Sequence, residues 1–369
     1  MTNPLVRLGE LGQSPWLDFI TRDLITSGKL ARLIENDGLQ GMTSNPTIFE
    51  KAIEGSDVYD GDIRRLHSRG KSPAQIFEAI AVRDVQSACD TFRQTYEVSG
   101  GEHGLVSIEV SPTLAYDTEG TIAEAERLWK EVNRPNVMIK IPGTKEGLPA
   151  IEACLSRGLN INITLLFSVL RYKKVIHAFF NALEERIHRK EPVDHIASVA
   201  SFFVSRVDSK VDPMLDQIGG LKDLRSKAGV ANACEAYAAF QQSLESPAWQ
   251  ELAGRGAKVQ RPLWASTSTK DPSLPDIYYI DALVAPATVN TMPPDTLEAY
   301  RDHGNPVVRV TQGMTTSLDT IQAVEHAGIS MAKVTDELES EGVKKFAASY
   351  HAVLERIESK AQELAEAGR

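Results

Sequence analysis

Short apolar runs alternate along the chain with longer amphipathic stretches, from residue 16 to about residue 287. Apolar runs of about four to eight residues predict buried strands, and the longer stretches show the apolar spacing of surface helices. Regular alternation of the two is typical of parallel strands that are joined by helices. The predicted strands are residues 16–20, 41–44, 105–110, 137–141, 160–166, 196–203, 262–265 and 282–285.

Eight predicted strands of this kind match the (β/α)8 barrel, or TIM barrel, of the α/β class. No low-complexity linker, charge block or repeat of fixed period interrupts them, so we expect one barrel domain over residues 1–369. The helix signals fit between the strands. Ser72-Pro73 predicts a helix that ends at residues 99–101, and Thr121 with Glu124 predicts a capping box.

The last third of the chain predicts extra helices rather than further strands. Residues 295–303 and 318–327 show helical patterns, and residues 331–369, rich in Glu, Lys, Ala and Leu, predict a helical C-terminal extension packed on the barrel. Its apolar side chains, among them Val343, Phe346 and Leu354, need cover. Two interpretations stay open for this tail: a largely solvated helix, or a contact in a homodimer.

Composition narrows the setting in which the protein works. No apolar stretch is long enough to span a bilayer, and residues 1–10 carry charged and polar residues where a signal peptide has its apolar core. Cys89, Cys154 and Cys234 lie far apart without CxxC spacing, which predicts buried free thiols rather than disulfides or a zinc site. We therefore expect a cytoplasmic protein.

Net charge restricts the partners. The formal charge of −10 argues against general attraction to nucleic acid or to an anionic membrane. An anionic small molecule would instead need a local cluster of Arg, Lys, hydroxyl or backbone N–H groups.

Lys140 is the most informative residue for chemistry, because it interrupts the apolar run of residues 137–141. A lysine in such surroundings either snorkels to water or is desolvated, and desolvation favours the uncharged amine that attacks carbonyl groups. The run therefore indicates Schiff-base chemistry. A salt-bridged or snorkelling lysine at a strand end is the competing interpretation.

Other predicted strands also end in polar residues, where the active site of a TIM barrel lies. Alternation along the fifth strand places Asn160, Asn162 and Thr164 on one face and Ile161, Ile163 and Leu165 on the other. The polar residues at the remaining strand ends are Asp18, Ser44, Asn45, Glu109, Ser201 and Arg206.

Each of these residues also has a purely structural interpretation. Asn45 before Pro46 suits a turn, Asp18 suits a helix cap, and Glu109 suits an ion pair with Lys140. Thr164 and Asn162 can satisfy one another, and Ser201 and Arg206 can form a cap and an ordinary ion pair. Together, however, an amine, two carboxylates, two amides and two hydroxyls at one barrel mouth favour a catalytic site.

These motifs resemble the transaldolase family of Schiff-base aldolases, in its longer form with an extended C-terminal region. Residues 43–47 (TSNPT) resemble the family's TxNPx segment, residues 106–110 its strand-three acid motif, and residues 160–168 (NINITLLFS) its highly specific NxNxTLLFS segment. Lys140 falls at the position of the Schiff-base lysine. The resemblance covers most of the chain, and it implies a circularly permuted class I aldolase barrel with this lysine on the fourth strand.

The resemblance implies a transferase of the non-oxidative pentose phosphate pathway. The reaction would move a dihydroxyacetone unit from sedoheptulose 7-phosphate to glyceraldehyde 3-phosphate, which gives erythrose 4-phosphate and fructose 6-phosphate. Its partners would be sugar phosphates, and it would need neither a metal nor an organic cofactor, because a protonated imine is itself the electron sink.

The same resemblance implies roles for individual residues. Lys140 would attack the C2 carbonyl, Glu109 would protonate the departing hydroxyl through a water held by Thr164, and Asp18 would take the C4 hydroxyl proton. Residues in contact with substrate would be Asn45 and Asn162 at hydroxyls, Ser201 and Arg206 at the phosphate, and Phe203 as an apolar wall.

One segment departs from the family pattern. Residues 264–270 read WASTSTK, where shorter family members carry an Arg that assists phosphate binding. Ser266 and Lys270 are candidates for that role, although lysine does not bind phosphate in the bidentate manner of arginine. Two other functions stay open: an aldolase that releases free dihydroxyacetone, and an idle barrel that binds sugar phosphates, in which Lys140 only pairs with Glu109 and Asp18.

Overall fold

A computed structural model describes residues 3–366 and shows a closed barrel of eight parallel strands in sequence order. Each strand pairs with its two neighbours, and β1 closes the barrel against β8. The predicted (β/α)8 barrel is therefore confirmed. The strands are β1 Gln13–Asp18, β2 Gly41–Thr43, β3 Leu105–Glu109, β4 Val137–Pro142, β5 Ile161–Leu166, β6 Ser198–Phe203, β7 Arg261–Ala265 and β8 Thr288–Met292.

The eighth strand is where the sequence prediction was wrong. Residues 282–285 are the end of a helix and a loop, where the side chains of Leu283, Val284 and Ala285 are buried without forming a strand. The true β8 is rich in polar residues, and Thr288 and Asn290 form hydrogen bonds inside the barrel wall. Gln13 Nε2 donates to Thr288 Oγ1 over 3.0 Å, and Thr267 Oγ1 donates to Asn290 Oδ1 over 2.9 Å. Hydrogen bonding makes such a strand tolerable in a buried position.

Helices fill the connections and the C-terminal region. The α-helices are α1 Pro4–Glu10, α2 Arg22–Thr26, α3 Lys29–Asp37, α4 Pro46–Glu54, α5 Asp60–His67, α6 Pro73–Thr91, α7 Arg93–Val98, α8 Thr118–Val132, α9 Gly147–Ser156, α10 Val169–His188, α11 Ser205–Ile218, α12 Ala228–Leu244, α13 Pro247–Gly254, α14 Tyr278–Ala282, α15 Pro294–His303, α16 Val310–His326 and α17 Met331–Glu366. Short 3-10 helices cover Asp57–Tyr59, Pro112–Leu114 and Lys222–Leu224.

Two local helix predictions need correction. The helix that begins after Ser72 is divided at Phe92 into α6 and α7. The capping box lies at Ser72 and Gln75, whereas Thr121 lies inside α8, which Asp117 caps. Of the predicted C-terminal extension, residues 367–369 lie outside the described part of the chain, and the rest is the single long helix α17.

Alternation along the strands separates two buried regions. Outward side chains, such as Val137, Ile139 and Ile141 of β4, pack with the surrounding helices. Inward side chains of the lower barrel form an apolar layer of Trp16, Leu105, Met138, Val199, Leu263 and Val289. Polar side chains replace this layer towards the C-terminal ends of the strands, so the fold buries apolar residues below and presents polar ones at the mouth.

Gly41 is required by this inner layer. A Cβ atom at Gly41 would lie 2.3 Å from Cε2 of Trp16, so any larger residue would displace the indole ring from the barrel interior.

A bulge in β5 breaks the predicted alternation at Leu165. The pairing of β5 with β6 shifts register between Ile163 and Leu166, and Leu165 has a φ of 58°. Leu165 therefore does not pack with Ile161 and Ile163, as the sequence predicted, but joins the cluster that contains Phe346 of α17. Bulges redirect side chains next to functional sites, and this one turns Leu165 towards the C-terminal helix α17.

The structure also bears on the expectations about the cysteines and about membrane-spanning segments. Cys89, Cys154 and Cys234 are buried free thiols, as predicted. Within residues 3–366, no helix combines the length and the apolar character needed to cross a membrane.

Candidate active site

A cavity of about 600 Å³ opens at the C-terminal ends of the strands. Residues from β1, β2, β4, β5, β6, β7 and β8 reach it, together with residues from the following loops and from α17. The predicted site residues that line it are Asp18, Asn45, Lys140, Thr164, Ser201, Phe203, Arg206, Ser266 and Lys270. The barrel therefore brings most of the predicted residues to one mouth.

Lys140 is buried at the inner end of this cavity, with 5% of its side chain exposed. Its Nζ donates to the Ser44 carbonyl oxygen over 3.1 Å and lies 3.1 Å from Glu109 Oε2. The Phe346 ring covers it, with 5.5 Å between Nζ and the ring centroid. The amine is thus held in a fixed position, shielded from bulk water and adjacent to a carboxylate.

Glu109 lies beside Lys140 but behind the main cavity. It faces a second cavity of about 40 Å³, whose lining also includes Asn45, Ser111 and Tyr350. Apart from the ion pair with Lys140, neither of its carboxylate oxygens accepts a hydrogen bond from residues 3–366. Burial raises the pKa of Glu109 and the nearby Asp18 charge adds to the shift, while Lys140 opposes it. A buried carboxyl with a raised pKa is suited to donate a proton.

Asp18 lies at the end of β1, where two hydroxyl groups orient it. Thr43 Oγ1 donates to Asp18 Oδ1 over 2.6 Å and contacts Thr291 Oγ1 at 2.7 Å. Burial raises the pKa of Asp18, and the charge of Lys140, the Thr43 hydrogen bond and the charge of Arg206 oppose this shift. Asp18 is therefore a fixed carboxylate with more basicity than an exposed one.

Strands β5 and β6 contribute a hydrogen-bonded polar row, but not all of it reaches the cavity. Asn162 is fully buried below the cavity, where its Nδ2 donates to Ser107 Oγ over 2.9 Å and its Oδ1 accepts from Ser201 Oγ over 2.7 Å. Asn162 lies two residues deeper along β5 than Thr164 and is not among the described residues that line the cavity, so its expected contact with substrate hydroxyls stays a prediction. Thr164 lines the cavity, and its Oγ1 has no hydrogen-bond partner among residues 3–366.

Asn45 combines the two interpretations that the sequence left open. Its side-chain oxygen accepts from the Ile48 backbone N–H over 3.1 Å and so caps α4. It also lines both cavities. Since the cap uses the oxygen, the amide nitrogen is the group that can face a ligand.

Cationic side chains surround the outer part of the cavity. The half-buried Arg206 packs its guanidinium carbon 4.9 Å from the centroid of the Phe203 ring. Lys270 donates to Ser268 Oγ over 2.9 Å. Burial lowers the pKa of Lys270, and the nearby charges of Arg206, Lys345 and Lys51 lower it further. Mutual repulsion of this kind is relieved when an anion binds among the cations.

Sequence reasoning missed several residues of the site. Lys51 lies on the helix after β2, and Lys345 and Phe346 lie on α17; all three line the cavity. Thr43 and Thr291 hold the carboxylate of Asp18 in place. Thr43 carried a signal within the TSNPT segment, and Phe346 was noted only as an apolar residue of the tail that needs cover. Lys51, Lys345 and Thr291 are ordinary helix or strand residues until the fold brings them to the mouth.

Comparison with known proteins adds independent information. Residues 15–357 match the family model described as "Transaldolase/Fructose-6-phosphate aldolase". A protein named "Transaldolase" from Acidothermus cellulolyticus is 51% identical over 354 residues, which are 95% of this chain and 95% of that protein. Another from Parafrankia sp. is 48% identical over 97% of this chain and 98% of its own. A "Transaldolase 2" from Nostoc sp. is 44% identical and covers 97% of each chain.

Proposed function

Because the chain belongs to the transaldolase/fructose-6-phosphate aldolase family, whose model its residues 15–357 match, we propose that it transfers a dihydroxyacetone unit between sugar phosphates through an imine on Lys140. The donor is sedoheptulose 7-phosphate and the acceptor glyceraldehyde 3-phosphate, in the non-oxidative pentose phosphate pathway. The observation that carries the proposal is the shielded Lys140 amine between two carboxylates at the base of a cavity with a cationic rim.

Imine formation uses Lys140 and Glu109. The uncharged Nζ attacks the C2 carbonyl carbon of the ketose, and the C2 oxygen leaves as water once it has been protonated. Glu109 is the acid for that step, since its carboxylate lies 3.1 Å from Nζ and burial raises its pKa. Thr164 orients the departing oxygen or a relaying water, a role supported by its position in the cavity wall and by its unpartnered Oγ1 among residues 3–366.

Cleavage and transfer use Asp18. Its carboxylate takes the proton of the C4 hydroxyl group, the C3–C4 bond breaks, and the electron pair moves into the imine to give an enamine. The aldose phosphate leaves, and the acceptor aldehyde takes its place. The enamine carbon then forms the new bond, Asp18 returns its proton to the new hydroxyl, and water releases the product from Lys140.

Substrate contacts follow from the cavity wall. The Asn45 amide and the Ser201 hydroxyl face the three-carbon unit. Ser201, which the resemblance assigns to the phosphate, is moved to this role because it is buried and hydrogen-bonded to Asn162. Arg206 and Lys270 hold the phosphate, with Ser266 beside them, and Phe203 with Phe346 forms the apolar wall. An apolar wall is needed because the enamine must be kept from water until the acceptor arrives.

We propose further that the protein acts in the cytoplasm and does not bind nucleic acid. Three buried free thiols support a reducing compartment, and the net charge of −10 opposes attraction to phosphodiester backbones. Because α17 buries Val343 and Phe346 against its own barrel, a homodimer would use another surface.

An acceptor-dependence assay tests the proposed function. With sedoheptulose 7-phosphate and glyceraldehyde 3-phosphate, we expect fructose 6-phosphate to form only when both sugars are present. An aldolase, the other activity in the family's description, would release free dihydroxyacetone from fructose 6-phosphate without an acceptor. Failure to form fructose 6-phosphate from the two sugars would contradict the proposal, and fast acceptor-free release would favour the aldolase.

A further inference from the structure

Helix α17 crosses the mouth of the barrel and is tied to several elements around it. Thr47 Oγ1 of α4 donates to Ser349 Oγ over 2.8 Å. Lys210 of α11 pairs with Glu341 at 2.6 Å and with Glu337 at 2.8 Å. These contacts hold the middle of α17 in one position relative to the strand ends.

The closest approach of this helix to the barrel depends on Gly342. A Cβ atom at this position would lie 2.9 Å from Cδ2 of Leu165, the residue at the bulge of β5. Glycine therefore lets the helix backbone reach the barrel rim. As a result, the following turn of α17 brings Lys345 and Phe346 into the cavity wall.

Neighbouring residues of this turn have different surroundings. Phe346 is 4% exposed and lies over Lys140, and Lys345 is exposed but lines the cavity. Lys344 is also exposed and is absent from the cavity wall formed by the described residues. The chain thus offers two adjacent exposed lysines on one helix, of which one faces the site.

Lys345 belongs to a group of cations that four separate elements bring together. Arg206 is the second residue of α11, Lys270 follows β7, Lys51 lies on α4 and Lys345 lies on α17. The carboxylates in the same wall are Asp18 and Asp295. Two of these lysines, Lys51 and Lys345, have no role assigned by the motifs, and the position after β7 holds a lysine instead of a second arginine.

We propose that Lys345 is a specificity-determining residue that binds the phosphate group of the sugar, so that the C-terminal helix itself distinguishes phosphorylated from unphosphorylated substrates. The inference rests on the proposed function and deepens it. A lysine ammonium compensates for the weaker, non-bidentate contact that Lys270 provides in place of an arginine. Because Phe346 is the next residue, a phosphate held by Lys345 also fixes the ring that covers Lys140.

The test compares Lys345→Ala with Lys344→Ala, its adjacent control. With phosphorylated donor and acceptor, we expect Lys345→Ala to lose about tenfold in kcat/KM, mainly through a higher KM. A tenfold loss is at the lower end for a hydrogen bond to a charged group, because Lys345 is exposed. With unphosphorylated fructose as donor, the same variant is expected to stay within about twofold of the parent. Inorganic phosphate, used as a competitive inhibitor, should bind more weakly to Lys345→Ala by a similar factor, and Lys345→Arg should recover most of the loss.

Several results would overturn this inference. Equal losses with phosphorylated and unphosphorylated sugars would mean that Lys345 only supports the fold, and equal effects of Lys344→Ala would mean that the contribution is general surface charge. An unchanged KM in Lys345→Ala would show that the phosphate lies elsewhere. Failure of the proposed function is distinct, since the parent protein would then form no fructose 6-phosphate at all.

Discussion

Two carboxylates flank one amine, and the surroundings of each suit it to a different task. Glu109 lies against Lys140 and faces a small cavity behind the site, while Asp18 lines the main cavity and is oriented by the hydroxyl of Thr43. Burial raises the pKa of both groups. From their positions, rather than their acidities, we propose that Glu109 serves the dehydration of the amine adduct and Asp18 the proton transfer at C4.

Asp18→Asn separates imine formation from bond cleavage. We expect the variant to form the imine at close to the parent rate but to cleave the C3–C4 bond about 100- to 1000-fold more slowly, because it has no general base. Single-turnover release of erythrose 4-phosphate measures cleavage, and borohydride trapping measures the imine. Asp295→Asn removes another carboxylate of the same wall and is expected to change either rate by less than about threefold.

The pH profile supplies a second test of Asp18. The base must be ionised to act, and its pKa lies above the ordinary value of 3.8, so cleavage should fall as pH drops through that raised value. This acid limb should be absent from the residual activity of Asp18→Asn. Normal cleavage by the variant, or an unchanged acid limb, would show that another group is the base.

Single residues differ in how well the sequence identified them. Lys140 was found because a charge interrupts an apolar run, and Asp18 because a carboxylate ends one. Asn162 and Thr164 share a face of β5, but alternation carries no information on depth. Only the structure therefore shows that Asn162 is buried below the cavity. Lys51 and Thr291 carried no signal, since lysines and threonines are common in helices and strands.

At the scale of elements, helix α17 contributes to the cavity wall, and the sequence did not assign it that role. The pattern predicted an amphipathic helix at residues 331–369 that packs on the barrel, but it did not show which part of the barrel the helix contacts. The answer depends on the bulge at Leu165 and on the close approach at Gly342, neither of which periodicity reveals. The missed β8 has a related cause, because its buried Thr288 and Asn290 accept hydrogen bonds from Gln13 of β1 and from Thr267 after β7, partners that periodicity does not reveal.

Phe346→Ala tests whether this helix seals the site. Loss of the ring opens a route for water to the enamine, so we expect the ratio of released dihydroxyacetone to transferred unit to rise roughly three- to tenfold, with imine formation at Lys140 retained. Product analysis with limiting acceptor measures that ratio. Phe346→Leu keeps an apolar cover and should show a smaller rise. An unchanged ratio in Phe346→Ala would mean that Phe203 alone excludes water.

At the scale of the molecule, topology explains why the site residues converge. All eight strands run in parallel, so their C-terminal ends meet at one mouth and residues far apart in sequence become neighbours. This convergence could be predicted from the strand count alone. The shape of the cavity could not, because it depends on loops and on a helix that returns across the mouth from the other end of the chain.

The central claim is that Lys140 forms the covalent intermediate, and reductive trapping tests it most directly. The protein is incubated with fructose 6-phosphate and sodium borohydride, and the modified peptide is located by mass spectrometry. We predict a reduced three-carbon adduct on Lys140, no adduct in Lys140→Met, and a normal adduct in the control Lys344→Met. An unlabelled parent protein, or a label on another lysine, would contradict the account.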